Sequence, residues 1–356
     1  MAPVAACSGP TRQGKLKSAV INPVLVELTR GAVVESVHRG AVAICDASGT
    51  SRFSLGDIDR LVYPRSAFKS LQALALVESG AASAHAVSDE ELALACASHS
   101  GEAMHTERVE AWLSRIGCAE QDLACGPHLP FHEPSAHKLI REGQSHCRIH
   151  NNCSGKHTGF LTLARHMNAP VAGYEHPSHP VQQRVRDAIA AMCGVEPAGM
   201  PAGIDGCAAP NYAVSLRNLA ISMARLGNPS GLGPERAAAA ERLVAAWKAH
   251  SLLVSGTGRA CADMIAATSG RTVVKTGAEA VFMAAIPEQG LGVAIKIDDG
   301  GTRAAETVMA QLLVQLGAAD ADDPRILKHR TPPVRNWRGD VVGQRGTSQA
   351  LSARLD

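Results

Sequence analysis

Apolar positions along the 356-residue chain follow two rhythms. Residues 24–28 (VLVEL), 32–37 (AVVESV) and 41–46 (AVAICD) are short β-rich runs, punctuated by Gly31, Gly40 and the turn Asp46-Ala47-Ser48-Gly49. Such punctuation predicts an antiparallel meander. In SAFKSLQALALVESG the spacing changes. Phe68, Leu71, Leu74 and Ala75 recur at helical intervals, and Gly80 stands where a helix C-terminal glycine usually sits. Further helical patterns cover 89–97, the stretch from Gly101-Glu102 to Gly117, TGFLTLARHM, VQQRVRDAIAAMCG, 213–226 and 234–250. Between Cys125 and Cys153 no period holds, and Pro127, Pro130 and Pro134 predict a long, loop-rich segment. Val273 to Ile297 reads as two antiparallel strands joined at Pro287-Glu288-Gln289-Gly290. Val308, Leu312 and Leu316 form the apolar face of a last helix ending at Gly317, with a short strand at Asp340-Val341-Val342 in the polar tail.

Strands at both ends with helices between them predict an α+β fold. One mixed antiparallel sheet takes strands from both termini, and a helical lobe is inserted in the middle. The chain is then a single two-lobed domain over 1–356, with a sheet lobe at roughly 20–65 and 270–345 and a helical lobe at roughly 66–269.

Composition narrows the partners. The chain is 46% hydrophobic but only 3% aromatic, so its core must be built from Ala, Val, Leu and Ile. A net charge of +2 without a polybasic run gives no reason to expect nucleic acid or a membrane surface. The first twenty residues lack a basic region followed by an apolar stretch. Ala5-Ala6-Cys7 matches the end of a lipoprotein cleavage site with no hydrophobic segment before it. Ten cysteines without such a leader are expected to be reduced thiols, and the expected compartment is the cytoplasm.

The candidate chemistry begins at Arg65-Ser66-Ala67-Phe68-Lys69. Tyr63-Pro64 breaks the preceding segment, so Ser66 is expected in the first turn of a helix, near free backbone N–H groups. Lys69 follows one turn later; held close, desolvated and crowded by another cation, it can lose its proton and activate the serine. Ser98-His99-Ser100 follows an apolar run, and Lys275-Thr276-Gly277 lies on a strand. Serine-x-x-lysine, then a short serine motif, then K-T-G is the order found in penicillin-recognising serine enzymes. Ser66, Lys69, Ser98 and Lys275 are therefore expected to face one another across a cleft. The backbone amides of Ser66 and Ala278 are the expected oxyanion donors. A second group is built on Cys153 and Cys261; spacing alone would make His157, four residues beyond Cys153, a third donor. Nine of the fifteen histidines fall between His128 and His179, without a ligand spacing that would draw them together.

Six ordered segments (RSAFKSLQALALVESGAA, ALACASHSGE, NNCSGKHTGFL, GIDGCAAP, GTGRACADMI and VVKTGAEAVF) resemble those of the rhizobial-type (class 3) L-asparaginases. The resemblance runs from about residue 24 to the C-terminal helix. It implies a serine β-lactamase/glutaminase-like fold, hydrolysis of L-asparagine to L-aspartate and ammonia through paired Ser-Lys tandems, a bound zinc ion and a homodimer. By motif the tandems are Ser66 with Lys69 and Ser98 with Lys275. The zinc ligands are Cys153, Lys156 (in place of His157) and Cys261. Asp205 matches a substrate-side carboxylate suited to an α-ammonium group, and Arg65 and His157 match residues at the pocket edge. Ser100 stands where the family commonly carries Asn. Alternatives are a related serine amidase or β-lactamase-like esterase, which would have no use for Asp205, and an inactive amino-acid or zinc sensor.

Overall fold

The computed structural model describes residues 21–352; residues 1–20, with the N-terminal reading and Cys7, lie outside the described residues. Strands β1 (Val24–Arg30), β2 (Val33–Asp46) and β3 (Ser51–Leu55) form the expected meander. Two small pairs follow: β4 (Leu61–Val62) with β7 (Val214–Ser215), and the hairpin of β5 (Ala202–Ile204) and β6 (Pro210–Tyr212). The main sheet is completed by β8 (Val273–Gly277), β9 (Val281–Ile286), β10 (Leu291–Ile297), β11 (Pro333–Arg335) and β12 (Val341–Thr347). Its order is β11-β12-β1-β2-β10-β9-β8, with β3 attached to β2, and each of these pairs is antiparallel. Strands from both termini thus meet in one sheet. All six residues of β9 are buried, so both faces of the sheet are covered there. The helices that pack on it are Leu216–Gly227 and Thr302–Gln315.

The helical lobe is set by caps and small side chains. Ser88 accepts the Glu91 N–H while Glu91 accepts the Ser88 N–H, a capping box that fixes the start of the Asp89–Ala95 helix. That helix and Lys69–Glu78 both pack on Ser154–His166, with Gly155 so close that a Cβ there would lie 2.5 Å from the Leu94 carbonyl oxygen.

Three expectations change. Residues 32–37 and 41–46 belong to one strand, because Gly40 is not a turn. Gly40 instead admits β10: a Cβ there would sit 2.4 Å from the Lys296 carbonyl oxygen. The 273–297 segment makes three strands, turning at 278–280 through Glu279 and Ala280 at φ 58° and 54°. The 125–153 segment contains a helix, Glu133–Arg141, whose first turn holds Pro134; proline is favoured there, not a breaker. Among the described residues nine cysteines are free, and no helix is long and apolar enough to cross a membrane.

Candidate active site

Arg65–Phe68 forms a single 3₁₀ turn ahead of the Lys69–Glu78 helix. Ser66 therefore precedes the α-helix instead of lying in its first turn. The turn starts from a left-handed residue, Arg65 at φ 52°, an arrangement that costs conformational energy in a non-glycine residue. Strand β8 runs directly against it. A Cβ on Gly277 would approach the Pro64 carbonyl oxygen to 2.5 Å and the Ala67 nitrogen to 2.9 Å. Glycine at the end of K-T-G is thus required for the strand to reach the serine turn, which also brings Ala278 beside it.

Lys69 and Lys275 are both fully buried, and their amines end on one hydroxyl. Lys69 Nζ donates to Ser98 Oγ at 3.0 Å and to the carbonyls of Ala97 and Asn152 at 2.5 and 3.3 Å. Lys275 Nζ donates to Ser98 Oγ at 2.9 Å and to the Thr276 carbonyl at 2.8 Å. Burial, reinforced by the neighbouring Lys69 and Arg259 charges, pushes the Lys275 amine down to about 7. An amine with that proton affinity exchanges protons near neutral pH.

Arg65 and Asp205 are joined by an ion pair, Nη2 to Oδ1 at 2.8 Å and Nε to Oδ1 at 3.0 Å. The Gly206 N–H donates to the same oxygen at 2.7 Å. Oδ2 has no hydrogen-bond partner among the described residues. Arg65 also borders a cavity of about 490 Å³, whose lining includes Tyr63, Gly203, Ile204, Asn211 and Lys296. Ser100 does not face that space; its hydroxyl donates to Glu102 Oε1 at 2.6 Å.

The thiol group differs from the expected set. Lys156 Nζ donates to the sulfur of Cys207 at 3.0 Å, and Cys153 and Cys207 share a hydrogen bond. That bond, with the Lys156 and His157 charges, holds the Cys207 thiol far below its ordinary value against the effect of burial. The same bond and burial push Cys153 up. Burial opposes the charge on Lys156, but the Cys207 and Cys153 sulfurs outweigh it and raise the amine. Cys261 is not the partner of Lys156. Its sulfur accepts the Thr276 N–H at 3.3 Å, on the strand that carries Lys275, and burial raises its thiol. Cys207 takes its place because the β5–β6 turn drops that residue onto the Ser154–His166 helix. Cys207 was visible in GIDGCAAP as a thiol in a glycine-rich turn, the one signal that could have marked it. His157 is fully buried, with Nδ1 2.6 Å from the Tyr174 hydroxyl, so it lies beside Cys207 and not on an open pocket edge. Its Nε2 is buried without a hydrogen-bond partner. Among the described residues no three His, Cys, Asp or Glu side chains form a metal-binding group.

The antiparallel sheet fed from both termini, the inserted helices and the serine turn lodged against K-T-G define a β-lactamase-like fold. The chain belongs to the L-asparaginase II family, which it matches over residues 26–346, and is an asparaginase-type amidohydrolase. Solved structures that resemble it include a β-lactamase from Mycobacterium bovis (15% identity, TM-score 0.40, covering 79% of this chain and 95% of that one). A putative β-lactamase from Bacteroides dorei gives 13% identity, TM-score 0.41 and coverage of 72% and 84%. Simvastatin synthase from Aspergillus terreus gives 11%, 0.38, 72% and 86%. No curated protein sequence matches the chain.

Proposed function

We propose that this protein hydrolyses L-asparagine to L-aspartate and ammonia through an acyl-serine intermediate on Ser66. The observation that carries the reading is the Ser98 hydroxyl held between two buried lysine amines, at 3.0 and 2.9 Å, one of them, Lys69, at the start of the helix that follows the Ser66 turn. Lys69 takes the Ser66 proton as Oγ attacks the side-chain carboxamide carbon. The amides of Ser66 and Ala278 receive the oxyanion. Ser98, with Lys275 beside it, relays that proton from Lys69 to the departing nitrogen, so ammonia leaves and the β-aspartyl ester remains. Water then adds with the same groups in reverse and frees Ser66. Asp205 Oδ2, the oxygen left unbonded by Arg65, accepts the α-ammonium group.

Zinc belongs to the same proposal, with Cys153, Lys156 and Cys207 as its ligands. The donor set fits the metal: two sulfurs and one nitrogen converge in a buried pocket, with the buried His157 ring against Cys207. Zinc bound there supplies a fixed positive charge that keeps both thiols ionised and the Lys156 amine neutral.

Purified protein incubated with L-asparagine, L-glutamine and a chromogenic lactam tests the reading by ammonia release and lactam opening. Ammonia from asparagine, trapped as aspartyl hydroxamate when hydroxylamine is added, is the expected result. Lactam opening without ammonia would replace the asparaginase reading by the β-lactamase-like one, and no turnover of any of the three would leave neither enzyme.

A further inference from the structure

Three cations touch Ser98, and two of them, Lys69 and Lys275, are held by its hydroxyl. Arg65 is paired with Asp205, and Lys156 lies on Cys207. Arg259 has no carboxylate partner among the described residues. Its Nη1 lies 3.5 Å from the Ser98 carbonyl oxygen, a long contact, and its guanidinium stands 5.8 Å from the centre of the Phe131 ring. It is half-buried, and its charge acts on Lys275 and on His99. A guanidinium partly removed from water beside two lysines is unfavourable unless something negative joins it.

The segment bearing Arg259 is held firmly to the Ser98 loop. The Thr257 N–H and hydroxyl donate to the two oxygens of Glu102 at 2.9 and 2.7 Å, and Ser100 donates to the same carboxylate at 2.6 Å. Gly256, at φ 116°, sits so near that a Cβ would lie 2.0 Å from Ser100 Oγ. Ser98 and Arg259 are therefore parts of one rigid unit, and the flat guanidinium is steered by the Phe131 ring. The unmatched cation has a fixed position relative to the hydroxyl that both lysines hold.

Asparagine carries, besides its amide, an α-ammonium and an α-carboxylate group. Asp205 offers the acceptor for the first. The second needs a cation not engaged in moving protons, and neither lysine qualifies; Arg65 is already bound to Asp205. We infer that Arg259 binds the α-carboxylate of the substrate, through its two-pronged N–H edge. This rests on the asparaginase reading above. It makes Arg259 a specificity-determining residue that selects α-amino acid amides over simple amides.

The test compares L-asparagine with 3-aminopropanamide, which keeps the amide and the amine and lacks only the carboxylate. Each enzyme is assayed above the rising limb of its own pH profile, so that any change in the Lys275 proton affinity drops out. In Arg259→Ala the ratio of kcat/KM for asparagine to that for 3-aminopropanamide should fall about tenfold to a hundredfold, mainly through KM for asparagine. Arg259→Lys, which keeps the charge and loses the fork, should fall between that variant and the parent. If Arg259→Ala does not fold, Arg259→Lys alone decides, with at least a severalfold fall expected. Equal losses on both substrates would show a structural role and overturn the inference. A parent enzyme that hydrolyses no asparagine would remove the asparaginase reading and this inference with it.

Discussion

Two fully buried lysines, Lys275 and Lys156, titrate in opposite directions. Burial acts on both in the same sense, against the charged amine. Around Lys275 burial dominates: the Lys69 and Arg259 charges add to it, the Cys261 and Cys153 sulfurs oppose it without outweighing it, and the amine comes down to about 7. Around Lys156 the Cys207 and Cys153 sulfurs reverse burial and keep the amine charged. Depth in the protein therefore does not decide alone what a lysine does; the balance of charge around it decides. The first is the proton carrier of the proposed function, the second an ion-pair anchor and, in the same proposal, a metal ligand.

The largest expected effect lies on the catalytic side. Ser66→Ala should lower amide hydrolysis by about 10⁴-fold or more while the unfolding midpoint stays within about 1 kcal/mol of the parent. Retention of a tenth of the activity would move the nucleophile to Ser98. On the thiol side, Cys207→Ser leaves Lys156 buried without its thiolate, a cost of about 3–5 kcal/mol by urea unfolding. It should also remove most of the zinc, expected at about one ion per chain in the parent. Cys261→Ser should keep the metal and cost about 1 kcal/mol or less. Equal zinc loss in the two variants would dissolve the distinction between Cys207 and Cys261.

A subtler test reads the proton carrier directly. Raising pH removes a proton from the coupled lysine pair, so the rate of Ser66 acylation should climb through about 7, where burial places Lys275. In Lys275→Met the amine that titrates in this range is gone. Residual activity should then need a more alkaline buffer, and a limb that stayed put or moved toward acid would uncouple the two amines. The smallest effect is on stability. Between about 7 and the ordinary lysine value of 10.5, the unfolded chain binds more protons at this site than the folded one. This contribution to stability therefore rises with pH across that window and is lost as pH falls toward 7. Lys275→Met removes the penalty, so its melting temperature should exceed the parent's by a few degrees at pH 7, with the gain fading in alkali. A gain that grew with pH would reverse the assignment.

The helices were legible because their caps and apolar stripes are local: Ser88 with Glu91, and Phe68, Leu71 and Leu74, act within one or two turns. The joining of 32–37 to 41–46 was not, since Gly40 serves a neighbour, Lys296, far along the chain. Nor was the turn at 278–280, made by Glu279 and Ala280 in a conformation their side chains disfavour. At the site, the order of Ser66, Lys69, Ser98 and Lys275 fitted a known arrangement of chemistry, and the structure brings the two lysines and Ser98 together. The thiol partner of Lys156 depended on where the β5–β6 turn lands, 51 residues away, which no spacing rule conveys. Arg259 was hidden for the opposite reason: its meaning comes from the carboxylate it lacks.

The contact at Gly277 also limits how the enzyme could be remade. With 2.5 and 2.9 Å between a hypothetical Cβ and the backbone of Pro64 and Ala67, strand and serine turn have no slack between them. Widening the mouth of the site by moving either one would part the two proposed oxyanion donors before it admitted a larger acyl group. Redesign for other substrates must therefore leave that seam alone and work from the opposite bank. The Gly203–Asp205 edge of the small hairpin is the place to begin, since Ala202 and Ile204 there are exposed.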